Sequence, residues 1–543
     1  MIIIMCGIFA YLGTSIATGD IEYTFLKTQK RGPDQNILKS ITHNLILGFH
    51  RLSIMDVSFK GDQPLHHPNK PYFLICNGEI YNHKELVNEY GIKTYSNSDC
   101  EVILYLYERF GIEKLLSIID SESFAFCIYD GEKNELIVAR DRFGVRPLFV
   151  SHKQNGDIIF CSEMKGLTPL LSDTDSVVQF NPGCWKSYSL LDKSESEYMQ
   201  YYEYSYPETP ITDIKVLCST IREKLTNAVR KRMMSDRPIG CLLSGGLDSS
   251  LICALLAKEF KNQNKGQLHT FSIGIKGSTD LIYAQKVADF IGSKHHSIEM
   301  TESDFLNAIP EVIYNIESYD TTTVRASTGN YLVGKYIKEN TDITVVFNGD
   351  GSDEQSGYMY LQGAPSDEEF KDECIRLLRN IHFFDVLRSD RSMSSNFSLE
   401  TRTPFLDTEF VDFYMSIPTQ FKTYKDDTIE KNLLRLSFDD QNLLPKEVLW
   451  RRKEAFSDGC SSNERSWHKV IQEYVDTRIT HAEFDICKSN YIINTPELKE
   501  SYYYRKIFED LYPGKSHIIP YFWLPKWSDN VKDPSARELK QYQ

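Results

Sequence analysis

The seven residues Ser244-Gly245-Gly246-Leu247-Asp248-Ser249-Ser250 carry the densest chemistry in the chain. Gly245 and Gly246 let the backbone approach a ligand closely, the hydroxyls of Ser244 and Ser249 donate, and a helix start offers unpaired N–H groups under a positive dipole end. That is a cradle for an anion, phosphate first. No lysine follows the glycines, so it is not the GxxxxGK[ST] loop. Asp248 stands where a carboxylate would hold Mg²⁺ against the phosphates. An ordinary strand-to-helix turn capped by Asp248 or a serine is the bland alternative. Cys6 is the second candidate: a cysteine with a free α-amine, pKa about 7.7 to 8.0, has a general base beside its own thiol. Without other signals such a cysteine is more often a packing residue. The third is Asn348-Gly349-Asp350-Gly351-Ser352-Asp353-Glu354, a glycine-rich turn with three carboxylates.

Regular elements must position these groups. An apolar strand over residues 238–243 leads into the cradle, and Leu251, Ile252, Leu255, Leu256 and Phe260 follow it at helical spacing. Further strands are expected at 268–275 and 343–347, with helices at 214–234 and 280–291. Strands alternating with helices mean a parallel α/β sheet with ligands at the carboxyl ends of its strands, where Ser244 and Asn348 both fall. Residues 6–205 read differently, as mostly β. Apolar runs at 7–12, 45–54, 72–76, 124–129, 136–139, 147–150 and 158–161 are bounded by turn residues, Asp130-Gly131 signals a hairpin, and a helix is expected over 101–110. Two stacked sheets covered by helices satisfy that pattern. Pro207 and Pro210 mark the boundary, and beyond about residue 365 the chain is mainly helical, ending in a Tyr/Trp-rich tail. The expectation is a two-domain α/β protein: residues 6–205, residues 213–525 and a tail over 526–543.

A chain of 543 residues has room for two to four domains. Its net charge of −15 argues against a general nucleic-acid binder, while a locally positive pocket still suits ATP. Twelve cysteines include no CxxC pair, which indicates neither a zinc site nor a disulfide framework and points to a reducing, cytoplasmic setting. Residues 1–5 are apolar but carry no basic region or cleavage site, and no later run approaches a membrane span.

Met5-Cys6-Gly7-Ile8-Phe9 looks like the start of a class II glutamine amidotransferase, in which the cysteine becomes residue one. Arg31-Gly32-Pro33-Asp34, Arg51-Leu52-Ser53-Ile54-Met55, Asn77-Gly78-Glu79-Ile80-Tyr81-Asn82, Ser98-Asp99-Cys100-Glu101, Arg140-Asp141-Arg142-Phe143-Gly144 and Ser162-Glu163-Met164-Lys165 resemble that family too, in its order. The resemblance implies an αββα sandwich of the Ntn-hydrolase type. It also implies Cys6 as nucleophile, an oxyanion hole from the Asn77 side chain and the Gly78 N–H, and Arg51 with Leu52, Ser53, Ile54 and Met55 around the glutamine carboxylate. Glu79 and Asp99 would hold the glutamine amine. Removing a single methionine from Met1 would leave Cys6 inside a peptide bond, so initiation at Met5 or loss of residues 1–5 is expected.

The cradle resembles the pyrophosphate loop of ATP pyrophosphatases, and Leu268-His269-Thr270-Phe271-Ser272-Ile273-Gly274 resembles their adenine strand, with Leu243 and Ile273 in contact with the base. Residues 348–354 are similar to a loop usually written SGEGSDE. Asn348 and Gly349 then join the ATP site, Asp353 shares Mg²⁺ with Asp248, and Asp350 stands for the glutamate that assists formation and attack of an acyl-adenylate. Its arm is shorter by one C–C bond, about 1.5 Å, which predicts a slower step. Two further strings, SLETRTPFLD at 398–407 and LWRRKEAFSDG at 449–459, imply an aspartate pocket structured by Glu400 and Arg402, and Lys453 at the phosphates. ESYDTTTVRAS at 317–327 looks like the segment around the acceptor.

Both halves together resemble the glutamine-hydrolysing asparagine synthetases. The resemblance implies ATP and Mg²⁺ as cofactors and glutamine, aspartate and ATP as small-molecule partners, with neither nucleic acid nor membrane, and it leaves a homodimer open. Three alternatives stand beside it. A ribosyl or sugar amidotransferase lacks the SGGLDSS loop, a β-lactam synthetase lacks a working glutaminase, and a decayed homologue would be a binding or scaffold protein.

Overall fold

Short apolar runs broken by turn residues pair, in the first part of the chain, into antiparallel sheets. The computed structural model describes residues 6–172, 174–423, 429–462, 464–528 and 531–538; residues 1–5, and with them the expectation about the chain start, lie outside the described residues. The chain divides into two compact units, Met1–Tyr204 with Met234–Arg237 and Ser394–Glu400, and Ser205–Met233 with Pro238–Met393 and Thr401–Gln543.

In the first unit the strands are β1 (Gly7–Leu12), β2 (Gln35–Thr42), β3 (Leu45–Arg51), β4 (Leu65–His66), β5 (Tyr72–Gly78), β6 (Phe124–Asp130), β7 (Glu135–Arg140), β8 (Phe149–His152), β9 (Ile158–Cys161), β10 (Ser176–Gln179), β11 (Cys184–Ser189) and β12 (Met199–Gln200). They form two six-stranded sheets, ordered β10-β8-β9-β1-β3-β2 and β12-β11-β7-β6-β5-β4. Ile8, Ala10, Leu47 and Phe49 of the first sheet share a buried cluster with Ile75, Ala125, Cys127 and Val138 of the second. On the other face of the second sheet, Leu74, Cys76 and Phe126 meet Val102, Ile103, Leu106 and Leu115. Burying each of the Val, Leu, Ile and Phe side chains among them contributes about 1.5–3 kcal/mol. The helix expected over 101–110 extends to Val102–Ile118, because apolar residues continue past Gly111, whose φ of 76° interrupts it. Sequence reading passes over β2, β10 and β11. The first two are sheet edges with half-exposed, polar faces, which weakens the apolar signal.

The second unit is built on β13 (Ile239–Leu242), β14 (His269–Ile275), β15 (Lys294–Met300), β16 (Val345–Phe347) and β17 (Glu400–Arg402), of which only Thr401 and Arg402 fall in this unit, ordered β15-β14-β13-β16-β17. β13 is parallel to both β14 and β16, and β14 is parallel to β15. The glycine turn therefore leaves the central strand at its carboxyl end, between the ends of its two neighbours. Helix Leu247–Asn262 starts directly after it, with Gly246 as its extended N-cap. Helices Ile214–Lys231 and Thr279–Ile291 fall where expected.

Candidate active sites

Cys6 lies immediately ahead of β1, bracketed by one residue. Its thiol donates to Leu52 O at 3.4 Å and receives the Leu52 N–H at 3.4 Å. Beneath it, Arg31 Nε donates to Cys6 O at 3.0 Å while Arg31 Nη1 and Lys165 Nζ reach the two oxygens of Glu163 at 2.7 and 2.6 Å. Burial alone would raise the Glu163 carboxyl, but Lys165 and Arg31 hold it down to about 2. His50, stacked on Phe25 at 3.8 Å, is pushed down to about 3 by burial and stays neutral. Burial pushes the Cys6 thiol well above its usual range, Glu400 and Glu79 add to that, and the Leu52 hydrogen bond and Arg51 oppose it. At neutral pH this thiol needs a base.

The other expected glutamine-site residues sit at strand ends nearby. Arg51 closes β3, and its guanidinium donates to Ser58 O at 2.6 Å, to Asp56 O and to the Asp62 carboxylate. Leu52, Ser53 and Ile54 are buried and Met55 half-buried, with the Ser53 N–H held by Asp34 at 3.0 Å. Asn77, 1 % exposed, is the last residue but one of β5, with its Nδ2 lacking a partner. A buried amide donor without an acceptor is ready for a ligand oxygen. Gly78 stands so close to the next strand that a Cβ would lie 2.4 Å from Ser123 O. The Glu79 N–H donates to that same carbonyl at 3.3 Å. Asp99 accepts the Ile80 N–H at 2.6 Å, and burial pushes its carboxyl up.

The second unit encloses a cavity. Among the expected ATP residues, Leu243, Ser244, Gly246, Asp248, Ser249, Ile273, Asn348, Gly349 and Lys453 line it, as do Asp350 and Asp353. Gly245 stands behind that wall with φ 75°, where a Cβ would lie 2.5 Å from Ala284 N. Ser249 Oγ receives the Ser244 N–H at 3.1 Å and pairs with Ser244 Oγ at 2.9 Å, which fixes the turn on the helix. The two loops touch: a Cβ on Gly349 would be 2.8 Å from Ser249 N. Lys431 Nζ lies 2.6 Å from both the Asp248 and the Asp353 carboxylates, and Lys453 also pairs with Asp353. Burial would raise Asp353, yet Lys431 and Lys453 hold it far below its usual range. Asp350 is pushed up by burial, with Arg388 and Ser389 opposing, and its Oδ2 has no partner.

Glu400 and Arg402, expected to structure an aspartate pocket, do not line this cavity. Glu400 belongs to the first unit, 3.9 Å from Arg146. Arg402 is buried with its guanidinium donating to Arg232 O, and its own carbonyl accepts the Asn348 N–H at 3.1 Å. It shapes the loop from behind.

A family model for the glutamine amidotransferase domain matches residues 5–202, and one for asparagine synthase matches residues 220–366 and 355–531. The asparagine synthetase [glutamine-hydrolyzing] of Gallus gallus is 44% identical over 560 residues, covering 99% of each chain. The chain belongs to the glutamine-hydrolysing asparagine synthetase family. Its Rattus norvegicus member is 42% identical over 560 residues, with 99% of each chain covered. Among solved structures, a glutamine phosphoribosylpyrophosphate amidotransferase from B. subtilis has a TM-score of 0.32 at 18% identity, covering 54% of this chain and 81% of that one.

In this asparagine synthetase family member, sequence reading missed several groups that the fold brings to the cavity. Lys431 is one, and a Cβ on Gly357 would lie 2.1 Å from its Cε, so that glycine makes its room. Thr322, Arg388 and Trp523 line the cavity as well, and Thr322 Oγ1 and Trp523 Nε1 are buried without partners. Arg388 rides on a π-helical stretch, Leu387–Ser394, a rare form that occurs frequently at functional sites. The usable signal for Lys431 was a charged pair, Glu430-Lys431, directly ahead of the apolar run Asn432–Phe438.

Proposed function

We propose that the chain converts L-aspartate, L-glutamine, ATP and water to L-asparagine, L-glutamate, AMP and pyrophosphate through β-aspartyl-AMP. Residues 6–205, read as an αββα sandwich of the Ntn-hydrolase type, release the nitrogen; residues 213–525 adenylate aspartate, with 526–543 as a tail. The observation that carries this reading is the cavity wall shared by Ser244, Asp248, Ser249, Asn348, Asp350 and Lys453. Twelve free thiols support a cytoplasmic setting.

In the first unit, a freed Cys6 α-amine takes the thiol proton and Sγ attacks the glutamine amide carbon. Asn77 Nδ2 and the Gly78 N–H donate to the oxygen as it gains charge, ammonia leaves, and water then cleaves the thioester to glutamate. Arg51 meets the substrate carboxylate; Glu79 and Asp99 meet its amine. In the second unit, Leu243 and Ile273 flank adenine while the glycine turn and Lys453 hold the phosphates. A β-carboxylate oxygen of aspartate attacks the α-phosphorus and pyrophosphate leaves. Ammonia then attacks the acyl carbon, AMP leaves, and the raised Asp350 carboxylate accepts a proton. The orphan donors of Thr322 and Trp523, with Arg388, support a place for the acceptor aspartate beside them on the cavity wall, with Arg402 behind the Asn348 loop.

Asp248 and Asp353 converge on one cation position, filled here by Lys431 Nζ at 2.6 Å from each. Two hard oxygen donors around such a point fit Mg²⁺, which would neutralise the charge of the leaving pyrophosphate. Asparagine formation measured with glutamine and with free ammonia tests the reading. Cys6→Ala should lose only the glutamine-dependent rate, Asp350→Ala both, and a wild-type protein making asparagine from neither would sink it.

A further inference from the structure

The string Asp533-Pro534-Ser535-Ala536-Arg537 has no part in the steps above, yet it is tied into the second unit at every other residue. Asp533 forms a two-pronged pair with Arg325, at 2.7 and 3.0 Å, and accepts Gln472 Nε2 at 2.7 Å. Ser535 Oγ donates to Asp458 Oδ1 at 2.8 Å. Arg537 Nη2 meets Glu454 Oε1 at 2.5 Å, and its Nη1 donates to Ser462 O at 2.8 Å. Pro534, between the first two anchors, forms part of the cavity wall.

Glu454 is the point where this segment meets the nucleotide cavity. Its second oxygen accepts Arg451 Nη2 at 2.8 Å and Thr279 Oγ1 at 2.7 Å. Arg451 in turn donates to Gly245 O at 3.2 Å and lies over the Tyr283 ring at 4.0 Å. Lys453, the neighbour of Glu454, reaches Asp353. One carboxylate thus links the end of the chain, the glycine turn and the lysine-bearing segment.

We infer that Arg537 is a positioning residue for ATP: acting through Glu454, it fixes the Arg451-Arg452-Lys453 segment against the glycine turn. The inference rests on the reading that this turn and Lys453 hold the phosphates. Arg537 touches no substrate. Its removal releases one of the anchors of Glu454, so Arg451 and Lys453 lose a fixed geometry while Asp350, Arg388 and Thr322 keep theirs. A displacement of about 1 Å in a positioning group is enough to cost one to two orders of magnitude.

The test is ammonia-dependent asparagine formation by the full chain, with ATP and aspartate varied separately. Arg537→Ala should raise the KM for ATP about tenfold, with kcat changed less than about twofold and the KM for aspartate unmoved. Arg537→Lys, which keeps a charge on Glu454 but loses the Ser462 carbonyl, should give about a threefold rise. Arg537→Ala added to Glu454→Ala should do no more than the roughly threefold harm of losing the Ser462 carbonyl, because the rest of its effect passes through one carboxylate. An Arg537→Ala protein with the KM for ATP of an active wild type overturns the inference alone, as does one in which both KM values rise together. If Arg537→Ala does not fold, an unchanged KM for ATP in Arg537→Lys overturns it. A wild type that releases no pyrophosphate removes the synthetase reading and this inference with it.

Discussion

The two units build their sites from different material. At the Cys6 thiol, positions are set mainly by backbone, over one buried ion network of Arg31, Glu163 and Lys165: Gly7 pairs with His50, Gly78 with Phe124, and Leu52 holds the thiol with both its N–H and its C=O. In the cavity of the second unit, positions are set by charge, with Lys431 between Asp248 and Asp353 and Lys453 on Asp353. A site fixed by strand registers is ready before its substrate arrives. A site held by ion pairs must exchange partners when the ligand brings charges of its own. Steric changes should therefore damage the first site most, and changes of charge or of cation the second.

The sharpest break in that comparison is Cys6→Ala. Glutamine-dependent asparagine formation should fall by at least about 10³-fold, because the attacking thiol is gone, while the ammonia-dependent rate stays within about twofold. A protein retaining residues 1–5 should behave alike, since a peptide-bound nitrogen is no base; N-terminal analysis of the active form checks this. Next comes Gly78→Ala. The added methyl would stand 2.4 Å from Ser123 O, so strand or loop must move and the donor beside Asn77 moves with it. Glutaminase activity should drop about 10²-fold, the usual cost of one oxyanion donor. A variant with normal glutaminase kcat would show that Gly78 is not part of that hole.

How far the sequence revealed these sites depends on what kind of residue carried them. Ser244 to Ser249 and Asn348 to Asp353 were legible because glycines mark close approach, and the structure has Gly245 at φ 75° and Gly349 a Cβ's width from Ser249 N. Asn77-Gly78 at the end of an apolar strand was legible for the same reason. Lys431 was not: it lies 183 positions from Asp248 and gains its meaning only through the fold. Arg402 shows that a charge inside a patterned string need not face a cavity: its guanidinium is engaged by Arg232 O, and its carbonyl holds the Asn348 N–H. Strand β15 was hidden by its composition, KHHSIEM, in which a single residue is buried.

Acid sharpens the comparison on the side of the first unit. The folded Glu163 carboxyl is held at about 2 against about 4.3 in an unfolded chain, so its contribution is fully present above about pH 4.3 and disappears as pH falls toward 2. A depression of that size is worth on the order of 3 kcal/mol. Glu163→Gln should lower stability at pH 7 by a comparable amount, because Arg31 and Lys165 lose a buried counter-charge. It should also flatten the stability profile between pH 4.3 and 2. Denaturant melts of the two proteins across that window decide it; parallel profiles would mean that Arg31 and Ser395, whose Oγ donates to Glu163, hold the network without the charge.

The smallest expected effect is the most telling for the second unit. Lys431→Met leaves the Asp248 and Asp353 carboxylates facing each other across the vacated ammonium position. Their repulsion is partly screened, since both side chains are about a fifth to a quarter exposed, 22% and 24%, so the loss in stability without divalent cations should be about 1–2 kcal/mol. If that position is where a cation belongs, Mg²⁺ with pyrophosphate should then raise the Tm of Lys431→Met by more than it raises the Tm of the parent, whose lysine must first be displaced. Equal shifts in the two proteins would mean that the ammonium and the metal occupy different places. The charge-built site would then be as pre-formed as the one around Cys6.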